Sequence, residues 1–249
     1  MLKGYEKNYN RVDKTKVKEF TMIEEVKKQV YDLLNNDNSG HGYDHIERVL
    51  SLSLKFAEKE NANKMLVALI ALLHDVDDYK LFGKVNAENL TNAKIIMNKA
   101  NVPMEIQEKV LAAIRCIGYS KSLKGIRPTT IEGKIVSDAD MCDALGVNGF
   151  LRVYKYTMKT GRPFFDRNIY PIEDIGALEY TKKSADTGVC HMFEKILKLK
   201  DLMLTESGKQ EAIARHQIIV DILYNLFQEE NAPEWTEYLD KFLRTRVKK

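Results

Sequence analysis

Cysteine is scarce and unpaired in this sequence: Cys116, Cys142 and Cys190 are odd in number, widely spaced and form no Cys-x-x-Cys pair. That pattern argues against a disulfide framework and a cysteine-rich zinc site, and it fits a reducing compartment. A charge surplus is missing too, because the net charge is only +3 and the basic residues are spread along the chain. Binding to polymeric nucleic acid is therefore not expected. The apolar run Met65–Leu73 holds nine residues, against about 20 needed to cross a bilayer. Met1-Leu2-Lys3-Gly4-Tyr5 lacks the apolar core of a signal peptide. A cytoplasmic protein without a membrane role is the expectation. Alternation of period two is absent beyond a few residues, so strands are not expected.

What is present is helical periodicity over a chain long enough, at 249 residues, to bury a substantial core. Hydrophobic residues at 44% and charged residues at 30% are the balance of an ordinary globular protein. Val17, Phe20, Ile23, Val26, Val30 and Leu33 recur every three or four positions, which predicts an amphipathic helix over 14–35. A second helix opens in His41-Gly42-Tyr43-Asp44-His45-Ile46-Glu47-Arg48-Val49. The third contains the apolar run and is expected to end near 80–83, with Gly83 as its stop. Others are expected from about Asn86, from Pro103, from about Thr129 to Gly146, and over 173–204, 209–229 and 233–246. Residues 119–129 read as a loop. The fold class expected is all-α, as one domain over 1–249 with its core at about 14–230, an arm at 1–12 and an appended helix at 233–246.

The third helix leads directly into His74-Asp75-Val76-Asp77-Asp78-Tyr79-Lys80. A helix apolar all round is buried among several neighbours, so its end delivers a charged cluster to a well-supported place. Other polar groups interrupt apolar helices at His45 and at Asp138, Asp140 and Asp143. Two imidazoles and two carboxylates, from His45, His74, Asp75 and Asp140, form a mixed nitrogen and oxygen set suited to one divalent ion. Manganese is the leading choice, with magnesium, cobalt, nickel, iron and zinc as alternatives. Four protein ligands on an ion that prefers six leave room for water and substrate, as a catalytic site requires.

The ordered set resembles the HD superfamily of metal-dependent phosphohydrolases, and in particular small bacterial HD hydrolases. The matching residues are His45 in Asp44-His45-Ile46-Glu47-Arg48-Val49, the doublet His74-Asp75, and Asp140 in Asp138-Ala139-Asp140. The resemblance runs from about Ser39 to Glu230 and departs from the family at Met141, where an arginine is usual. It implies hydrolysis of a nucleotide or related small phosphate ester, including a nucleoside triphosphate cleaved to monophosphate and pyrophosphate. It also implies that Asp78, three residues after Asp75, takes part as acid or base. Arg48 and Lys80 supply positive charge for phosphates, with Arg152 and Arg162 as further candidates. Only five histidines exist, which favours one metal over two. A monomer or homodimer is expected. The alternative function is a non-catalytic, metal-containing nucleotide-binding module, which Met141 keeps open.

Several of these residues also have ordinary structural readings. Asp138 more often caps or salt-bridges, and Asp143 could hold Asp140 or a ligand histidine in place. His41 reads as a turn residue, while His191 and His216 read as hydrogen-bonded core or surface residues. Tyr154, Tyr156, Phe164 and Phe165 read as packing.

Overall fold

The computed structural model of the chain describes residues 14–36, 42–172 and 186–247. The arm expected at 1–12, His41 and residues 173–185 of the helix expected over 173–204 lie outside them. Among the described residues there is no strand, and the α-helices are α1 Lys14–Leu34, α2 Tyr43–Lys59, α3 Lys64–Leu73 and α4 Tyr79–Asn89. They continue with α5 Thr91–Lys99, α6 Met104–Ile114, α7 Tyr119–Ser122, α8 Ile131–Asp143 and α9 Gly146–Lys159. After α10 Gly188–Glu194 comes a 3-10 helix at Ile196–Leu202, then α11 Glu206–Glu229 and α12 Pro233–Val247. The all-α expectation is borne out.

Helix α3 is the centre. Asn63 starts it by accepting a hydrogen bond from the Leu66 N–H at 3.1 Å, which satisfies one of the amides a first turn leaves over. From Leu66 to Leu73 every residue is buried, and α1, α2, α6 and α8 all pack on it. Each fully buried leucine or isoleucine there contributes roughly 1.5–3 kcal/mol of transfer free energy. The result is a rigid post whose C-terminal end cannot shift without disturbing four neighbours.

The structure corrects the expected elements at several points, among them the helix expected over 173–204, whose described part is α10 and a 3-10 helix broken at Lys195. Helix α3 stops at Leu73, short of the expected 80–83, and His74 to Asp77 form a turn. Asp77 imposes this turn by accepting from the Asn92 and Ala93 N–H groups at 2.8 and 2.9 Å, while Asn92 Nδ2 donates to the Val76 carbonyl at 2.7 Å. These bonds staple the segment to the start of α5, which a continued helix would not allow. Asp78 then begins α4 by accepting from the Lys80 N–H at 2.8 Å. The helix expected from Asn86 is split at Leu90, whose φ of 52° is left-handed. Residues 119–122 of the expected loop form α7.

The structural reading of Asp138 is confirmed. Buried between α8 and α11, it accepts from the N–H groups of Leu204 and Thr205 and from the Thr205 hydroxyl, at 2.7–3.0 Å. Gly208 makes the close approach possible, since a Cβ there would lie 2.3 Å from Asp138 Oδ2.

His216 on α11 is 6% exposed, and burial, aided by the Lys200 charge, pushes its pKa down to about 4. An unfolded chain takes up that proton near pH 6.5, so this stability is complete above pH 6.5 and is lost as pH falls towards 4. The expected loss by pH 5 is up to about 2 kcal/mol. Urea unfolding of metal-free protein at pH 7.5 and 5.0 checks this, because His216→Gln should show a smaller drop than the parent. Equal drops would contradict it.

Candidate metal centre

Three helices of the central packing supply the site. His45 sits in the first turn of α2, His74 caps the end of α3, Asp75 follows in the turn, and Asp140 lies on α8. Both imidazoles are side-chain buried, at 1% and 0% exposure, whereas the Asp75 and Asp140 side chains keep 18% and 23%. The nitrogen end of the site is thus dry and its carboxylate end meets solvent.

The hydrogen bonds fix which nitrogen of each ring faces the site. His45 Nδ1 donates to Asp143 Oδ2 at 2.7 Å, and His74 Nδ1 donates to the Ala71 carbonyl at 2.8 Å. Carboxylate and carbonyl oxygens only accept here, so each Nδ1 carries a hydrogen and each neutral ring presents an acceptor Nε2. Those two Nε2 atoms lie 3.2 Å apart. Asp75 Oδ2 is 3.5 and 3.7 Å from them, and Asp140 Oδ1 is 3.5 and 3.9 Å from them. The donor atoms of His45, His74 and Asp140 all fall within 4.8 Å of one another.

Two acceptor nitrogens flanked by two carboxylates repel one another unless a proton or a metal cation lies among them. Neighbouring donors on a six-coordinate ion at roughly 2.1 Å are separated by about 3.0 Å, close to the spacings seen. Electrostatics agrees. Burial opposes charge on His45, but the hydrogen bonds to Asp143 and Asp75 prevail and push its pKa up to about 9. The position is built to hold positive charge, and a divalent ion can replace that proton. The donor set therefore fits a divalent metal.

Asp143 is the support behind His45. Besides the imidazole it receives Arg48 Nε at 2.7 Å, an Arg48 terminal nitrogen at 3.1 Å and an Arg152 terminal nitrogen at 2.8 Å. Burial would raise its pKa, yet the bonds from His45 and Arg48 and the Arg152 charge hold it well below the usual carboxylate range. Of the two readings open for Asp143, orienting a histidine is the one the structure supports. Arg48 also donates to Asp44 at 2.8 Å, so the expected phosphate contacts Arg48 and Arg152 are both engaged with carboxylates. Lys80 is exposed. Arg162 lies in the turn after α9, its N–H on the Thr157 carbonyl. Met141 is buried in the core at 5% exposure.

Sequence reasoning missed two residues, Lys195 and Lys121. Lys195, just after α10, is part-buried, with Nζ 5.1 Å from the Tyr119 ring centroid. Burial pushes its pKa down to about 8, and it interacts through charge with Asp140, Lys80, Arg152 and Asp75. His191, one turn earlier, is part-buried, in keeping with its core reading. Burial and the charges of Lys195 and Lys80 push its pKa down to about 3. Lys121 on α7 donates to the Ile114 carbonyl at 3.0 Å and also interacts through charge with Asp75 and Asp140. The only early signal was their place in amphipathic or loop sequence, where lysines are usually solvated.

An all-α core that brings two histidines and two aspartates together from α2, the end of α3 and α8 defines a class of candidate metal-site protein, and the comparisons agree. Residues 42–145 match the HD domain. A Lactobacillus plantarum protein of known structure is 31% identical, the match covering 87% of this chain and 98% of that one with a TM-score of 0.72. A Bacillus thuringiensis protein described as an HD-superfamily hydrolase is 32% identical over 86% of this chain and 99% of its own, with a TM-score of 0.67. The chain belongs to the HD domain superfamily. It is also similar to the uncharacterized protein YpgQ of Bacillus subtilis, with 28% identity over 211 residues, covering 84% of this chain and 94% of YpgQ. YpgQ has been crystallised in complex with ADP, and that structure matches with a TM-score of 0.65.

Proposed function

We propose that the protein is a metal-dependent phosphohydrolase acting on a nucleotide or related phosphate ester, with a nucleoside triphosphate cleaved to monophosphate and pyrophosphate as the leading case. The observation that carries this reading is the 3.2 Å approach of two acceptor imidazole nitrogens between two part-exposed carboxylates. The ADP complex of YpgQ supports the nucleotide.

His45, His74, Asp75 and Asp140 would hold the ion, manganese being the first choice. When bound it supplies Lewis-acid charge to a phosphoryl oxygen and acidity to a water. Asp143 fixes the His45 tautomer, and Arg48 and Arg152 keep Asp143 ionised while adding positive charge at the edge of the site. Asp78 is the proposed acid or base. Its Oδ1 already bonds the Lys80 N–H, which fixes the carboxylate's direction at the start of α4. Lys80, with Arg162 from the loop side, would meet phosphate oxygens.

Release of phosphate and pyrophosphate from a nucleotide panel, measured with Mn, Mg, Co and Ni, tests the reading. A metal-dependent product is expected. Nucleotide binding without product in any metal would overturn it in favour of a non-catalytic binding module.

A further inference from the structure

Between Asp77 and Leu90 the chain makes an excursion that starts and ends at one place. The Asp77 carboxylate accepts from the Asn92 and Ala93 N–H groups, and the Leu90 carbonyl accepts from the Lys94 N–H at 3.2 Å. Both ends are therefore fixed at the start of α5. Between them lies α4, and no residue of Tyr79–Asn89 is buried. Leu81 and Phe82 lean on the core while only part-buried, and the apolar side chains of Tyr79 and Val85 are left 55% and 69% exposed. By contrast α3 and α5, before and after it, each bury apolar residues in the core. A short helix is marginal in water without packing to support it, so α4 belongs to the least stable part of the fold.

Gly83 divides α4. Its φ of 81° and ψ of 168° lie in a region that only glycine adopts readily. A Cβ there would meet nothing within 4 Å, so the glycine serves the backbone angles and not the space around them. A large change in φ and ψ is absorbed most easily at such a position. The excursion also leaves directly from the metal-ligand turn, because the Asp78 N–H donates to the Asp75 carbonyl at 3.1 Å. Asp78 and Asp75 are nonetheless attached differently. Asp78 caps α4 through the Lys80 N–H, so its carboxylate follows the helix. Asp75 precedes the Asp77 staple, which isolates it from movement of α4.

We propose that α4 is a lid that bends at Gly83 and closes over the substrate at the metal centre, bringing Asp78 into place as it shuts. The inference rests on the proposed substrate site but not on turnover. Closure gives Tyr79 and Lys80, both exposed in this structure, a ligand to cover, while Asp75 keeps its position.

Hydrogen exchange read by mass spectrometry on manganese-loaded protein tests this, with ADP and inorganic pyrophosphate as the two probes. Without a probe, amides 79–87 should exchange at least ~10-fold faster than those of α3 and α5. A saturating probe should slow 79–87 several-fold more than it slows α5. If Gly83 is the pivot, its present angles belong to the open lid. Gly83→Ala strains those angles and should tighten whichever probe binds by roughly 5-fold or more, with manganese still bound one per chain. Exchange at 79–87 as slow as in α5 without a probe, or no extra slowing there by either probe, overturns the proposal even if the variant fails to fold. Unchanged probe affinity in a folded Gly83→Ala also overturns it. Slowing of 79–87 by pyrophosphate but not by ADP would keep the lid and sink the nucleotide reading. ADP binding that leaves 79–87 unprotected would sink only the lid.

Discussion

Asp143→Ala is expected to lower folding free energy by about 3–5 kcal/mol and to weaken metal binding roughly 10- to 100-fold. The carboxylate is 1% exposed and takes hydrogen bonds from one imidazole and two guanidinium groups. Removing it leaves Arg48 and Arg152 facing each other around a vacated position with their shared counter-charge gone. It also removes what holds His45 Nδ1 protonated, so the ring can turn or change tautomer and withdraw Nε2 from the site. Urea unfolding and manganese titration on the same preparation separate the two effects. A variant that loses stability but binds manganese as the parent does would show that Asp143 does not orient His45.

The second large effect distinguishes two aspartates a turn apart. Asp75→Ala should abolish metal binding and cut turnover by at least ~10³-fold, since metal assistance is worth several kcal/mol of transition-state stabilisation. Asp78 needs a subtler substitution, because its Oδ1 caps α4 and alanine would cost about 1 kcal/mol through the lost cap alone. Asparagine caps as well but carries no charge and is a poor base. Asp78→Asn should therefore keep both the fold and the metal while turnover falls about 10²- to 10⁴-fold. Full activity in Asp78→Asn would remove Asp78 from the mechanism.

Most of the helices could be read from the sequence, and the residues proposed as metal ligands could be singled out there, for one reason: both stand in local pattern. Apolar spacing marked α1, α2 and α3, and an uninterrupted apolar run marked the helix that four others surround. The His74-Asp75 doublet stood out because it ends that run. What the sequence did not disclose depends on contacts between distant segments. Asp77 ends α3 early through amides fifteen and sixteen residues away. Leu90 breaks a regular apolar pattern with a left-handed backbone that nothing in its side chain announces. Asp143 could be read as support for either Asp140 or a histidine, and only its 2.7 Å bond to His45, 98 residues earlier, decides between them. Lys195 and Lys121 stand in no motif, and the burial that lowers the pKa of each arises only in the folded chain.

The proposed function depends on a cation drawing four side chains together, and titration of manganese into metal-free protein at pH 7.5 tests that most directly. It should reveal one site per chain, lost in His74→Ala and in Asp140→Ala while both variants remain folded. No stoichiometric ion in the parent, or an unchanged site in either variant, would contradict it.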